Sequence, residues 1–288
     1  MSSISPRFIN FRLGDFECFI LYDGFRSIGS MTSGSPTEFI FGDAPKEELS
    51  RSLVSYGGFT SDTVIVFNYL LIKDGGSYML VDVGCGERAE NMKHPNEPAG
   101  LLLDSLEEAG IGVNDIDKVV ISHSHWDHFG GAVTNGKPTF PNADYVMNRK
   151  EADYIRREAQ PWAKSHLDAI EDKLTYINGE VSLSQSVTLR SAPGHTPGMT
   201  ILEASSGGET LLYTSDIIIH PIHVGHTDWI PSFENDRLTA ASTRLALVKD
   251  SYSRDLLLFV PHIPNVLGRV RYEENVYSWI NEQSHIKK

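Results

Sequence analysis

Short apolar runs and alternating segments divide the chain into elements. Residues 7–26, "RFINFRLGDFECFILYDGFR", place aromatic and branched side chains on both sides of Leu13-Gly14-Asp15, which predicts two strands about a turn. Residues 27–58 are rich in Ser, Gly and Pro and read as an irregular loop over a site. From Thr63 onward strands and helices interleave. "TVIVFNYLLIK" and "SYMLVDVG" flank the hairpin signal Asp74-Gly75-Gly76. "NEPAGLLLDSLEEAG" carries Leu102, Leu106 and Ala109 at helical spacing, closes on Gly110, and feeds the strand "DKVVIS". Helices are predicted over "NRKEADYIRREA", opened by Asn148 as a cap, over "WAKSHLDAIEDKL", and near "NDRLTAASTRLALVKD". Strands flank "APGHTPG", another is "ETLLYTSDI", and "DLLLFVP" reads as a final buried strand. Hairpins followed by strand and helix alternation predict an α/β or α+β fold with a mixed sheet.

Composition narrows the function. The 288 residues are 40% apolar and 22% charged, as in a soluble globular enzyme, and no repeat or linker divides them. A net charge of −13 argues against nucleic acid and anionic lipid as partners and leaves a small-molecule substrate, with a homodimer as an allowed assembly. The N-terminus shows no signal-peptide h-region, and apolar runs such as Leu256 to Val260 are too short to span a bilayer; a cytoplasmic location is expected. Two cysteines, Cys18 and Cys85, are too few for a disulfide framework and read as buried small hydrophobes, Cys85 being a weak candidate for a stray thiolate ligand.

The chemistry concentrates after the run Val119-Val120-Ile121, where six positions hold His123, His125, Asp127 and His128. Zinc takes nitrogen, sulfur or carboxylate donors at about 2.0–2.3 Å. Side chains two apart at a strand end can be turned onto one ion by the following loop, which suits His123 and His125, while Asp127 and His128 point to a second ion beside it. The alternative is a solvated loop that happens to be histidine-rich. Gly130 and Gly131 follow at once and allow backbone to pass close to a crowded site. Four donors cannot complete two coordination spheres. His195 in "APGHTPG", Asp216 in "LLYTSDI" and His262 in "LLFVPHIP" each lie at the end of a strand. A lone histidine there is more often a hydrogen-bonded loop residue than a ligand; the segments together favour ligands.

In this order, H-x-H-x-D-H, G-H-T-P-G, S-D and a late P-H, the motifs from Asp82 to His262 resemble the metallo-β-lactamase superfamily of hydrolases. The resemblance implies an α+β fold: a four-layer αβ/βα sandwich with two mixed β-sheets between helices and the site at one edge. The chain is then expected to form one domain over 1–288, with N-terminal strands and a loop over the site in 1–60, the metal-binding core in 61–265, and a C-terminal helix in 266–288. The resemblance also implies two divalent metal ions, zinc foremost, with iron, manganese or cobalt as other candidates. His123, His125 and His195 would hold the first ion, Asp127, His128 and His262 the second, and Asp216 would bridge both. Asp82 of "VDVG" would be the carboxylate behind a ligating imidazole. "SDIIIHPIHVGHTDW" and "FPNADYVMNRKEADY" are similar to the branch containing methyl parathion hydrolase and the N-acyl-homoserine lactonases.

The expected reaction is attack by a hydroxide shared by the two ions on a neutral, apolar ester or lactone, an acyl-homoserine lactone or a phosphotriester among them, with Asp127 as the catalytic residue that orients the hydroxide and takes up a proton. Trp126, Phe129, His220, His223, His226 and Trp229 are candidate substrate-binding residues; for the aromatic residues a core position is the commoner alternative, and for the histidines the alternative is that at least one only hydrogen-bonds a neighbouring strand. Neutrality of the substrate rests on an absence: segments 121–131, 193–200, 213–231 and 259–266 contain no Lys or Arg, leaving Lys137, Arg26, Arg269 and Arg271 as the cations that could arrive from elsewhere. Rival readings are an iron-containing redox or persulfide-handling protein of the same fold, a thioesterase, and a scaffold that only binds a ligand. Di-iron electron-transfer relatives usually carry a glutamate where this chain has His125, and all seven ligand positions are filled here.

Overall fold

The computed structural model describes residues 7–92 and 96–282. Strands β1 (Phe8–Leu13), β2 (Phe16–Ser27), β3 (Val64–Asp74), β4 (Ser77–Val81) and β5 (Ile116–Ile121) begin the first sheet. A small ladder of β6 (Val133–Thr134) and β7 (Lys137–Pro138) intervenes before β8 (Asp144–Asn148) and β9 (Leu174–Ile177) complete that sheet in the order β1-β2-β3-β4-β5-β8-β9. The second sheet runs β10 (Val181–Ser182), β11 (Val187–Ser191), β12 (Thr200–Ser206), β13 (Glu209–Tyr213), β14 (Leu257–Phe259), β15 (Leu267–Glu273) and β16 (Val276–Asn281), in chain order. Both sheets are mixed. In the first, β4, β5, β8 and β9 are parallel neighbours, and in the second only β13 and β14 are.

Side-chain alternation builds the layers. Leu70 and Ile72 of β3, Val120 of β5, Leu211 and Tyr213 of β13, and Leu257 and Phe259 of β14 meet in one core between the sheets. Their neighbours Leu71, Val119 and Ile121 point the other way, onto the helices α4 (Leu102–Glu108), α6 (Arg149–Glu158) and α7 (Pro161–Ile170) among others. Leu212 and Leu258 face α8 (Arg237–Ser253) on the far side. Strands buried on both faces read as continuous apolar runs, as "KVVI" and "DLLLFV" do. The result is the expected four-layer sandwich. Asn148 caps α6, its side chain accepting from Lys150 N. Among the described residues no helix is long and apolar enough to cross a membrane.

Two expectations need correction. Residues 27–58 are not an irregular loop: α1 (Ile28–Met31), α2 (Pro36–Phe41) and α3 (Lys46–Val54) form there. Ser35 accepts from Glu38 N with Pro36 in the first turn, and Leu49 and Leu53, one turn apart, are buried. The C-terminal helix expected over 266–288 does not form among the described residues. Residues 267–281 form the hairpin β15–β16, so "DLLLFVP" is not the last strand, and residues 283–288 lie outside the described residues. Glu274 and Asn275 take φ of 50° and 67°, as a two-residue hairpin turn requires.

Candidate metal centre

Every donor singled out in the sequence lies just past a strand. Asp82 follows β4, His123 follows β5, His195 lies between β11 and β12, Asp216 follows β13 and His262 follows β14. His125 caps the single-turn helix α5 (Trp126–Phe129), which carries Asp127 and His128. The turn is closed tightly against the 83–86 segment. A Cβ on Gly131 would stand 1.9 Å from the Val83 carbonyl oxygen, and Gly131 N donates to Gly84 O at 2.8 Å. Asp82 and Ser215 adopt left-handed backbone, φ 64° and 48°, a conformation that costs about 1–3 kcal/mol outside glycine and collects at functional sites.

The donor atoms fall into two groups, each within 4.8 Å of one another: His123, His125, His195 and Asp216, and Asp127, His128 and His262. His125 Nδ1 lies 2.8 Å from His195 Nε2, and His128 Nε2 lies 3.1 Å from His262 Nε2. Asp216 joins the groups. Its Oδ2 is 3.3 Å from His195 Nε2 and 3.8 Å from His123 Nε2, while its Oδ1 is 3.0 Å from both His128 Nε2 and His262 Nε2. Asp127 Oδ2 stands 3.6 and 3.7 Å from the same two nitrogens.

Hydrogen bonds fix how the rings face. His128 Nδ1 donates to Asp82 Oδ2 at 2.8 Å, His195 Nδ1 to Glu234 Oε2 at 3.0 Å, and His262 Nδ1 to Val66 O at 2.9 Å. His123 Nδ1 meets Ser122 Oγ at 3.0 Å; that hydroxyl donates to Asp82 and accepts from Ser215 Oγ, so it is left to accept from the ring. Each of these four rings therefore turns Nε2 inward, the tautomer a metal-binding imidazole requires. His123 Nε2 is buried without a hydrogen-bond partner. A buried orphan nitrogen among imidazoles in near contact fits a bound cation.

Electrostatics agree. Burial depresses the pKa of His123 well below its usual value, and burial together with the neighbouring His195 lowers His125 to about 3. Burial also opposes charge on His195, but the Asp216 and Glu234 carboxylates outweigh it and push the group up to about 9; His128 and His262 are raised for the same kind of reason. Despite burial, the surrounding imidazoles, His128 first, hold Asp216 well below the carboxylate range. Without metal, protons on imidazole balance the carboxylates.

Two carboxylates here went unnoticed in the sequence. Glu234 backs His195. Glu151, in the first turn of α6, accepts from Ser124 N, Ser124 Oγ, Thr196 Oγ1 and Gly198 N at 2.6–3.0 Å, tying the 123–128 turn to the His195 loop. Tyr213 OH, also unforeseen, donates to Asp82 Oδ2 at 2.8 Å, and Tyr69 OH donates to the Asp127 carbonyl. A signal for Glu151 existed in its place one turn beyond the Asn148 cap.

The candidate substrate residues divide. A cavity of about 560 Å³ opens on the donors, walled by Met31, Phe39, Ile65, Trp126, Ile219 and Phe233 with Arg26 and Ser30. A second, of about 510 Å³, shares Ile65, Ile219 and His262 with it and includes Tyr56, Phe59, His220 and Trp279. Trp126 and His220 thus face cavities. The other four do not. Phe129 is buried against Trp162 and His166, and His223 is buried with Nε2 donating to Ile40 O at 3.1 Å. Trp229 is core and stacks on His226, ring centroids 3.7 Å apart. Apolar packing and backbone groups needing a partner claimed these side chains. Of the distant cations only Arg26 reaches the metal-side cavity, with Nη1 donating to Phe25 O and Glu97 O; Arg269 and Arg271 pair with Asp255, and Lys137 is exposed.

The same architecture recurs in known proteins. A structure of AidC, a dizinc quorum-quenching lactonase in complex with a product, is 28% identical and superposes with a TM-score of 0.83 over 96% of this chain and 97% of its own. An N-acyl homoserine lactonase of Bacillus cereus is 31% identical over 165 residues, 51% of this chain and 62% of the lactonase. A probable metallo-hydrolase of Mycobacterium bovis is 20% identical over 254 residues, 72% of this chain and 77% of that protein. The profile of the metallo-beta-lactamase superfamily matches residues 63–259, a span that holds β3 to β14, the H-x-H-x-D-H turn, His195 and Asp216. With the fold, the two donor groups and this match in agreement, the chain belongs to the metallo-beta-lactamase superfamily and is a metallohydrolase of it.

Proposed function

We propose that the chain hydrolyses neutral, apolar esters or lactones, acyl-homoserine lactones first among them, at a pair of divalent ions, with zinc the expected metal. The observation that carries this reading is Asp216, whose two oxygens face different groups of imidazoles. In it His123, His125 and His195 hold one ion, Asp127, His128 and His262 the other, and Asp216 both. Such ions supply Lewis acidity toward a carbonyl oxygen and acidify water toward neutral pH.

The chain contributes orientation, proton transfer and exclusion of water. Four rings are held by their Nδ1 atoms, so the donors need little rearrangement to receive metal. Asp127 faces the cavity, and among the residues walling it there is no tyrosine or lysine, so Asp127 is the group placed to take a proton from water and return it to a leaving alkoxide. Met31, Phe39, Ile65, Trp126, Ile219 and Phe233 form an apolar wall suited to an acyl group. Arg26 is the cation in that wall, and its hydrogen bonds to two carbonyls favour a structural role over an anion clamp. Likeness to the Bacillus cereus lactonase and to AidC supports a lactone as substrate.

The test is kcat/KM of the zinc-loaded protein for matched pairs: an acyl lactone, an aryl ester or a phosphotriester against an analogue bearing a carboxylate. The neutral member should be preferred in each pair that reacts. A tenfold preference for the anionic member, about 1.4 kcal/mol of transition-state binding, would assign Arg26 a clamping role and overturn the neutral-substrate reading.

A further inference from the structure

His195 is backed by a carboxylate that is itself held by a buried guanidinium. Glu234 Oε2 accepts from His195 Nδ1 at 3.0 Å, and Glu234 Oε1 accepts from Arg244 Nη2 at 2.8 Å, both side chains of the ion pair having 0% exposure. Arg244 projects from α8 and reaches further: Nε donates to Ile217 O at 2.5 Å and Nη1 to Thr227 O at 3.0 Å. Ile217 adjoins Asp216, so one side chain braces both the bridging carboxylate's turn and the support of His195. The backbone repeats the connection. Asn235 N donates to His195 O and Asp236 N to Gly194 O, at 3.2 and 2.8 Å. Gly194, φ 133°, leaves no room for a Cβ, which would stand 2.3 Å from the Ala240 backbone at the start of α8.

A buried ion pair gains little stability over apolar side chains of similar size, because desolvation offsets attraction. Stability therefore does not explain why Glu234 and Arg244 are charged. Their placement does. A carboxylate on Nδ1–H fixes the imidazole tautomer and makes Nε2 a stronger donor, and the guanidinium holds that carboxylate in one orientation with both oxygens engaged.

We propose that the Arg244–Glu234 pair is a positioning device for His195: through that ring it sets the affinity of the donor group His123, His125, His195 for its ion, with little effect on the group Asp127, His128, His262. This rests on the two-ion reading above. Neither residue touches substrate or metal in it.

The experiment is stepwise release of zinc to a chelator from the wild type, Glu234→Gln and the double variant Glu234→Leu/Arg244→Met, with melting of the metal-free proteins followed in parallel. The double variant removes both charges together, so no buried charge is left unpaired and folding is kept even where the single variant unfolds. The expected result is a double variant whose metal-free form melts cooperatively, as the wild type does, but which gives up one zinc equivalent roughly 10–100-fold more readily, the other being retained. Unchanged release of both equivalents, or equal weakening of both, overturns the proposal. A wild type that binds no zinc overturns the two-ion reading itself, so the two failures are distinct.

Discussion

The two donor groups share Asp216 but are built differently. The group of His123, His125 and His195 draws its other donors entirely from imidazole, and its one carboxylate-backed ring rests on Glu234, whose charge is answered by Arg244. The group of Asp127, His128 and His262 contains a carboxylate of its own, and its backed ring rests on Asp82, which is satisfied only by neutral donors: Ser122 N and Oγ and Tyr213 OH. The second group is more negative in both its donors and its support. In the two-ion reading proposed above, an ion there would be held more by charge, and an ion in the first group more by the aim of three rings. Loss of geometry should therefore empty the first group, and loss of charge the second.

Replacing the shared residue should erase the distinction. Asp216→Ala is expected to release both ions and lower the rate by roughly a hundredfold or more, against mild effects for His220→Ala, His223→Ala or His226→Ala; metal content and kcat, compared across the four, check this. Asp82→Asn should weaken mainly the second group, by about 10–100-fold in metal affinity. The check is zinc stoichiometry at fixed chelator, where parallel loss from both groups would break the comparison. Glu151→Gln removes charge from the staple between the 123–128 turn and the His195 loop. A loss of about tenfold, confined to the first group's ion, should appear in the same titration.

A pH series sharpens the electrostatic side. In the metal-free protein His195 has its pKa pushed up to about 9, with burial opposing and Asp216 and Glu234 prevailing. Its proton must leave before Nε2 can bind metal. Zinc uptake at pH 7 should release protons, and apparent affinity should rise with pH toward about 9. The metal-free fold should show the opposite trend. A group whose pKa is raised on folding contributes stability below its unfolded value, near 6.5, and that contribution is lost as pH rises through the folded value. Calorimetry in buffers of different ionisation enthalpy measures the protons, and melting of the apoprotein checks the second trend. The smallest effect expected is for His226→Ala, which loses the stack on Trp229: a destabilisation of about 1 kcal/mol with zinc stoichiometry unchanged.

The same contrast explains what the sequence made legible. His123 to His128 lie within one turn, and His195, Asp216 and His262 each lie within four residues of a strand end, so a local pattern marks them all. Asp82 is marked in the same way. Glu234 and Arg244 act across the fold, on a ring 39 residues away and on a distant turn, and carry no local mark, whereas Glu151 is marked only by its place one turn beyond the Asn148 cap. His223 and Trp229 were misleading because they lie on the segment following Asp216, yet side chains there turn away from the cavity into the core. The β15–β16 hairpin was readable from its alternating Val, Tyr and Trp about Glu274-Asn275, with Arg269, Arg271 and Glu273 alternating on the other face of β15.

The central claim is that hydrolysis depends on two ions held by these seven side chains. Its most direct test is elemental analysis of the purified protein alongside hydrolysis of an acyl lactone, repeated after chelation and after zinc is restored. The account predicts close to two divalent ions per chain, activity lost with them and regained as the second equivalent returns. Full activity in protein carrying only trace metal would contradict it.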